Sequence, residues 1–544
     1  MQNAIFLLCC VLGTLYSSEV LGIPSLESMT LEEKVGQLLI AHFHGETVNE
    51  DARILIQDAC VGGIIYYEWA NGLHSPQQVQ NLSNELQKLA LMNRYPIALF
   101  ISTDQEGGLV SQLKSGFTIF PGNSALGQTR DPHLAELCFY AMGKEMVAVG
   151  INVDFSPVVD VNCNPHNPVI GIRSFGDTAD VVSLHAKSAL IGFHQAHVIP
   201  TLKHFPGHGD VAFDSHEYIP VVNKSKDELL CVELYPYQQL LQNADMVMSA
   251  HVSVPALDPH QCATFSKRIL QDLLRQEMGY QGIIISDSLV MEGLFANCSS
   301  IEEAALRAFN AGCDLLLLGG KQLLGQRLNY ELTVKDVKRV HSFLIEAIKN
   351  DQISEKRVDE SVQRILNLKN TYGLFGASFP AENEIVQYVN TQENQRLAAH
   401  VAHLSVAMVK NTLPESFPLN EKTIAVLFPS IVNELVRKSS LVTLGKETLK
   451  SRFTYQKPSE EEMKKCLSLA QIADVIVVCS YNAWQFPEQQ ALIQSILDTG
   501  HPSIVISLKD PLDKTLFPEA AALITTFSPT AFSLEAAVQR LKGR

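Results

Sequence analysis

The amino-acid sequence predicts an α/β protein: a TIM-like (β/α)8 barrel followed by a smaller α/β unit of αβα-sandwich type. Three observations carry that prediction. Eight short apolar runs alternate with amphipathic stretches between Leu38 and Leu318, and ionisable residues follow directly on several of them. A break punctuated by Gly and Pro, Gly373 to Pro380, then precedes a second and shorter series of strand-like runs.

Taken in order, the first helix should open at Thr30-Leu31-Glu32-Glu33, where Thr30 as N-cap and Glu33 three residues on form a capping box. The eight runs are Leu38 to Phe43, Gly63 to Tyr67, Ile97 to Thr103, Val153 to Val159, Val198 to Leu202, Met246 to Ala250, Ile283 to Ser286 and Leu315 to Leu318. They are apolar without alternation, as strands covered on both faces must be. Asp104, Asp160, Lys203, His204, His251 and Asp287 stand just past such runs, at the end of the strands where barrel enzymes gather their chemistry. Beyond the break, Leu397, Val401, Leu404 and Met408 mark one face of a helix. Strand-like runs follow at Ile424 to Phe428, Val475 to Cys479, Ile504 to Leu508 and Leu523 to Thr526, with no comparable ionisable residues at their ends. The expected organisation is a leader over 1–22, a barrel over 23–375, a linker over 376–391 and a second α/β domain over 392–544.

Length and composition agree with two folded units. The chain has 544 residues, 46% hydrophobic and 18% charged, which is globular rather than disordered. A formal net charge of −16 argues against a nucleic-acid backbone as partner, since no basic stripe offsets it. The run Ala4 to Tyr16 carries no charge and precedes a small residue at Gly22, which resembles a secretory signal peptide, although Met1-Gln2-Asn3 lacks the usual basic residue. The expectation is export to a periplasm or cell envelope, with a cytoplasmic location if that leader is not functional. Eleven cysteines are scattered without a CxxC pair, so neither a zinc knuckle nor a disulfide framework is expected.

The densest chemistry lies in Lys203-His204-Phe205-Pro206-Gly207-His208-Gly209-Asp210, followed by Asp214-Ser215-His216. It reads as a loop just past the fifth run. Asp287, at the end of another run, offers a rigidly held carboxylate that can act as nucleophile, base or metal ligand. Glycosidic cleavage needs such a carboxylate and a second group to protonate the leaving oxygen. His216 has the right acidity, and Asp214 can fix its tautomer. A metal hydrolase built on His204, His208, His216, His251 and Asp287 is the rival reading. His204 and His208 straddle Pro206 and Gly207, however, which rules out the one-helix-face spacing of zinc proteases.

Lys-His-Phe-Pro-Gly-His-Gly-x4-Asp-Ser-His, from Lys203 to His216, resembles the signature of glycoside hydrolase family 3, in particular its bacterial β-N-acetylglucosaminidases. Further blocks keep the family's order: Asp104-Gln105-Glu106-Gly107-Gly108, Phe155 to Asp160, Asn167 to Phe175, Phe265-Ser266-Lys267 and Ser286-Asp287-Ser288-Leu289. The resemblance spans roughly Leu31 to Phe375. It implies a retaining exo-β-N-acetylglucosaminidase acting on peptidoglycan fragments (GlcNAc-MurNAc). Asp287 would be the nucleophile and His216 the acid/base supported by Asp214, while Asp104, Arg173, Lys203 and His204 would bind sugar hydroxyls. His208 would support the loop, and Glu106 reads as structural. The resemblance implies no metal and no cofactor. A β-glucosidase or an N-acetylglucosaminide phosphorylase of the same family remains an alternative, as does a non-catalytic cell-wall sugar-binding protein. Two positions depart from the pattern: Leu109 stands where many members have Arg, and Ile172 where Asp is frequent.

Overall fold

The structure, a computed structural model, describes residues 24–212, 219–295, 298–322, 329–376, 379–414 and 417–543. The predicted leader and the two residues of the predicted acid/base pair, Asp214 and His216, lie outside the described residues.

Eight parallel strands form the first unit: β1 (Leu39–Ala41), β2 (Gly63–Ile65), β3 (Phe100–Thr103), β4 (Val153–Asp154), β5 (Ile199–Phe205), β6 (Met246–Ser249), β7 (Ile283–Ser286) and β8 (Leu316–Leu317). Each pairs with its sequence neighbours, and β8 pairs with β1. A parallel bridge from Ile285 to Leu315 joins β7 to β8 and closes the barrel. Every residue of these strands is buried, which is why the runs read as continuous rather than alternating. Helices wrap the outside. The first, Leu31–Gln37, begins at the expected capping box, with Thr30 and Glu33 exchanging bonds with each other's backbone N–H. Helices Pro132–Ala148 and Ala179–Ala196 lie close together because glycine stands at their contact. A Cβ on Gly192 would come within 2.4 Å of the Glu136 carbonyl oxygen.

β5 departs from expectation in a way that matters for the site. The sequence places Lys203 and His204 on a loop beyond the strand, whereas β5 runs through both to Phe205. Its register against β6 slips by one residue between Leu202 and Phe205, and the Lys203–His204 peptide is cis. A regular strand sends consecutive side chains to opposite faces. At this irregular point both Lys203 and His204 line the same cavity.

The second unit is a six-stranded sheet of β9 (Ala407–Asn411), β10 (Thr423–Pro429), β11 (Glu447–Phe453), β12 (Val475–Ser480), β13 (Ser503–Ser507) and β14 (Ala522–Thr525). The spatial order is β9-β14-β13-β12-β10-β11, parallel except for β9. Its strands feed two cores by alternation: Val475, Val477 and Cys479 pack on one face, Ile476 and Val478 on the other. Helices cover both faces, an αβα sandwich. The helix of Leu397 and Val401 ends at Ser405. Met408 therefore falls in β9 and Leu404 faces solvent, contrary to the single helical face read from the sequence. The segment between the units is fastened to the barrel. Gln80 donates to the Ala381 carbonyl at 3.0 Å, and the buried Glu145 carboxylate accepts from Asn390 N–H and the Asn394 amide. Among the described residues no helix is long and apolar enough to cross a membrane.

Candidate active site

The strand ends β3, β5 and β7 bring Asp104, Lys203, His204 and Asp287 to one cavity of about 380 Å³ at the carboxyl-terminal mouth of the barrel. Arg173 joins them from a single helical turn, Gly171–Arg173, in the loop that follows β4. Met248, Met291, Leu317 and Val169 supply apolar wall. Such a mixture of converging charges and flat apolar surface suits a hydroxyl-rich ring with an apolar face.

The charges are linked in a chain. Lys203 Nζ lies 2.9 Å from Asp104 Oδ1 and 2.7 Å from Glu106 Oε1. The Arg173 guanidinium grips Glu106 with two bonds, Nε at 2.9 Å and Nη2 at 2.7 Å. Burial would raise the Glu106 carboxyl, but Arg173 and Lys203 overcome it and hold the group down at about 2. Burial likewise opposes the Lys203 ammonium, while Asp104 and Glu106 push its pKa above the ordinary value. Glu106 is thus the anchor that lets two cations stand at the cavity wall, a positioning role. Nothing in its spacing distinguishes it from the neighbouring glycines' turn chemistry, so the sequence alone reads it as structural.

Asp160, on the segment that follows β4 six residues past its end, does not line the cavity. Its Oδ2 accepts from His204 Nδ1 at 2.7 Å, and its Oδ1 accepts from the backbone N–H of His208. Burial raises the Asp160 carboxyl, but His204 outweighs it and the net shift is downward. A carboxylate can only accept, so the proton of this bond is carried by His204 Nδ1. The His208 ring also lines the cavity, and burial lowers it to about 4, so it is neutral near pH 7. Asn167 clamps this loop by donating to the carbonyls of His208 and Gly209. His251 works as scaffold: its ring bonds Thr264 Oγ1 at 2.8 Å and the Ser288 carbonyl at 2.9 Å. That carbonyl belongs to the residue whose N–H donates to Asp287 Oδ1 at 2.7 Å.

Of the residues of the metal reading, His204, His208, His251 and Asp287 are described, and they take separate tasks. Two clusters of three ligand-type side chains occur among the described residues, and neither contains His204, His208, His251 or Asp287.

The sequence reading also passed over the far wall. Tyr67 and Trp69, just beyond β2, stack with ring centres 5.2 Å apart, and Lys321 Nζ sits 4.7 Å from the Trp69 ring centre. Their signal was only the aromatic end of the second apolar run. Leu109 and Lys114 border the same cavity. Ile172 is buried, so that departure from the family pattern presents no side-chain charge to the cavity.

A parallel barrel with carboxylates, cations and imidazoles gathered at its carboxyl-terminal mouth defines a barrel enzyme of the hydrolase kind. Residues 30–368 match the model of the glycosyl hydrolase family 3 N-terminal domain, and the chain belongs to that family. It is 31% identical over 412 residues to β-hexosaminidase A of Pseudoalteromonas piscicida, covering 73% of this chain and 67% of that one. It is 35% identical over 287 residues to a β-hexosaminidase of Nitrosomonas eutropha, covering 52% and 80%. Among solved structures, a family 3 β-N-acetylglucosaminidase from Paenibacillus sp. str. FPU-7 superposes with a TM-score of 0.85 at 34% identity, covering 95% of this chain and 97% of the other.

Proposed function

We propose that the protein is a retaining exo-β-N-acetylglucosaminidase that removes terminal β-linked N-acetylglucosamine from peptidoglycan-derived saccharides. The observation that carries the reading is the position of Asp287. It ends a buried barrel strand in the cavity that also holds Asp104, Arg173, Lys203 and His204. The names of the relatives, β-hexosaminidase and β-N-acetylglucosaminidase, support the sugar.

In this reading Lys203, Arg173, Asp104 and His204 take the hydroxyls of the terminal sugar and set its anomeric carbon against Asp287. The carboxylate attacks that carbon, the glycosidic bond breaks, and His216, oriented by Asp214, gives its proton to the leaving oxygen. Water then enters, His216 takes a proton from it, and the C–O bond to Asp287 is cleaved with net retention. The leader over 1–22 directs the chain to the periplasm or cell envelope, where such saccharides arise.

The test compares kcat/KM for an aryl β-N-acetylglucosaminide and an aryl β-glucoside, each with and without phosphate. The expected result is a strong preference for the N-acetyl sugar, release of free β-N-acetylglucosamine, and no acceleration by phosphate. A preference for glucoside, or a sugar phosphate as product, would replace this reading with one of the family alternatives.

A further inference from the structure

His42 and His44 stand two positions apart on the chain that leaves β1, with Phe43 between them packed into the core. Both imidazoles present Nε2 to the same carboxylate: His44 lies 2.9 Å from Glu331 Oε1, and His42 lies 3.6 Å from Glu331 Oε2. All three ligand atoms fall within 4.8 Å of one another. His42 is 2% exposed, so its Nε2 meets Glu331 away from bulk water. Glu331 is 31% and His44 54% exposed at the side chain, which leaves an entry path.

We infer that His42, His44 and Glu331 form a binding site for one divalent transition cation of the zinc type at the rim of the cavity. A zinc ion bonded at about 2.0–2.2 Å to nitrogen and oxygen holds neighbouring ligand atoms about 3–3.5 Å apart. The two nitrogen-to-oxygen separations here bracket that spacing, so a small rotation of the Glu331 carboxylate completes three bonds and leaves the remaining positions to water. Two imidazoles and one carboxylate are the donor set that zinc and its neighbours in the first transition row prefer over magnesium or calcium.

The backbone that carries the ligands is held in place, as a site of this kind requires. Asn71 donates to the carbonyls of Phe43 and Gly45, and Asn49 donates to the carbonyl of His44. Glu331 is fixed by an antiparallel bridge to Lys321, next to the bond from Gln322 N–H to the Tyr330 carbonyl. The second three-ligand cluster, Cys163 with Asp210 and Glu233, differs in having the Lys224 ammonium in contact with all three, so a cation already sits among its ligand atoms. Among the described residues the rim site has no cation in that position. Lys321 lies over Trp69 instead, and both histidine rings rest against the same indole with centres 5.2 and 5.4 Å away. A bound cation would therefore tie the chain leaving β1 to Glu331, beside Trp69. It would take no part in the chemistry at Asp287, and the inference stands whatever sugar the cavity accepts.

The test uses full-length protein stripped with EDTA, then dialysed against Zn²⁺ and analysed for bound zinc, alongside His44→Ala and Glu331→Gln. The expected result is one zinc per wild-type chain, at least about tenfold weaker binding in each variant, and a zinc-dependent rise in Tm confined to the wild type. Hydrolytic activity in EDTA should be the same for all three proteins, which also reports that the variants fold. Wild-type protein that takes up no zinc overturns the site whatever the variants do. So does equal uptake by the wild type and both variants, which would mark the contacts as ordinary hydrogen bonds.

Discussion

The barrel carries a buried ionic cluster at each end, and the two are built differently. At the amino-terminal end, Asp314 precedes β8 and is fully buried. It accepts from Arg275, from Arg357 at 3.1 Å and Arg364 at 3.2 Å, from Ser361 Oγ at 2.7 Å, and from the Ile284 N–H of β7 at 3.0 Å. Each carboxylate oxygen is occupied by the protein itself, and Arg357 also caps the carbonyls of Gly312 and Cys313. At the carboxyl-terminal end, Glu106 is enclosed in the same fashion between Arg173 and Lys203, but those cations and Asp104 border open cavity. The closed cluster stitches the β7–β8 seam, where the Ile285–Leu315 bridge closes the barrel. The open cluster keeps hydrogen-bonding capacity directed at the cavity. Enclosure, rather than the number of charges, separates a structural ion cluster from a binding one.

The comparison can be broken at either end. Asp314→Asn should be the most damaging to stability, because it leaves three arginines around a neutral group; breaking a buried pair costs about 3–5 kcal/mol. Denaturant unfolding should show that loss, while kcat/KM per folded molecule stays within about twofold. Acid should act on both clusters. The folded pKa of Glu106, about 2, is below the ordinary value of 4.5. Its contribution is therefore fully present above about pH 5, falls as the pH drops towards 2, and is on the order of 3 kcal/mol. Burial would raise Asp314 too, but Arg275, Arg357 and Arg364 outweigh it and lower its pKa, which gives the same sign. Glu106→Gln should flatten the stability profile between pH 5 and 2, measured by urea unfolding at each pH. The smallest effect on the fold should come from Asp104→Asn, whose partner Lys203 keeps Glu106. It should leave Tm nearly unchanged yet lower kcat/KM by about 10–100-fold, the scale of one hydrogen bond to a charged group.

Much of this arrangement was legible before the fold was known, for identifiable reasons. The barrel strands are buried on both faces, so each left an apolar run, and the residues at their ends left a charge just beyond it. That Asp104, Lys203, His204 and Asp287 would meet at one end of the barrel was readable because strand ends announce themselves. β9 and β11 were not readable. Glu447–Phe453 is an edge strand whose side chains are mostly exposed or part-exposed and include charges at Glu447, Lys450 and Arg452, so it carries no apolar run. β9 borders the sheet antiparallel to β14, and its apolar Met408 was absorbed into the preceding helical period. The slip in β5 was invisible because it arises between strands, in the pairing with β6, and not within one sequence window. Partnerships across the fold were hidden for the same reason. Glu106 finds Arg173 and Lys203 at separations of 67 and 97 positions, and His42 and His44 meet a carboxylate nearly three hundred residues away.

The central claim is that Asp287 forms the glycosyl bond inside the open cluster. A fluorinated N-acetylglucosaminyl donor that forms the intermediate quickly and hydrolyses slowly tests it directly, with intact-mass and peptide mapping of wild type and Asp287→Asn. The account predicts one sugar adduct per wild-type chain, mapped to Asp287. It also predicts no adduct on the variant, whose turnover falls by at least about 10⁴-fold, the scale of losing a nucleophile. An adduct on another residue, or turnover with inverted configuration and no adduct at all, would contradict it.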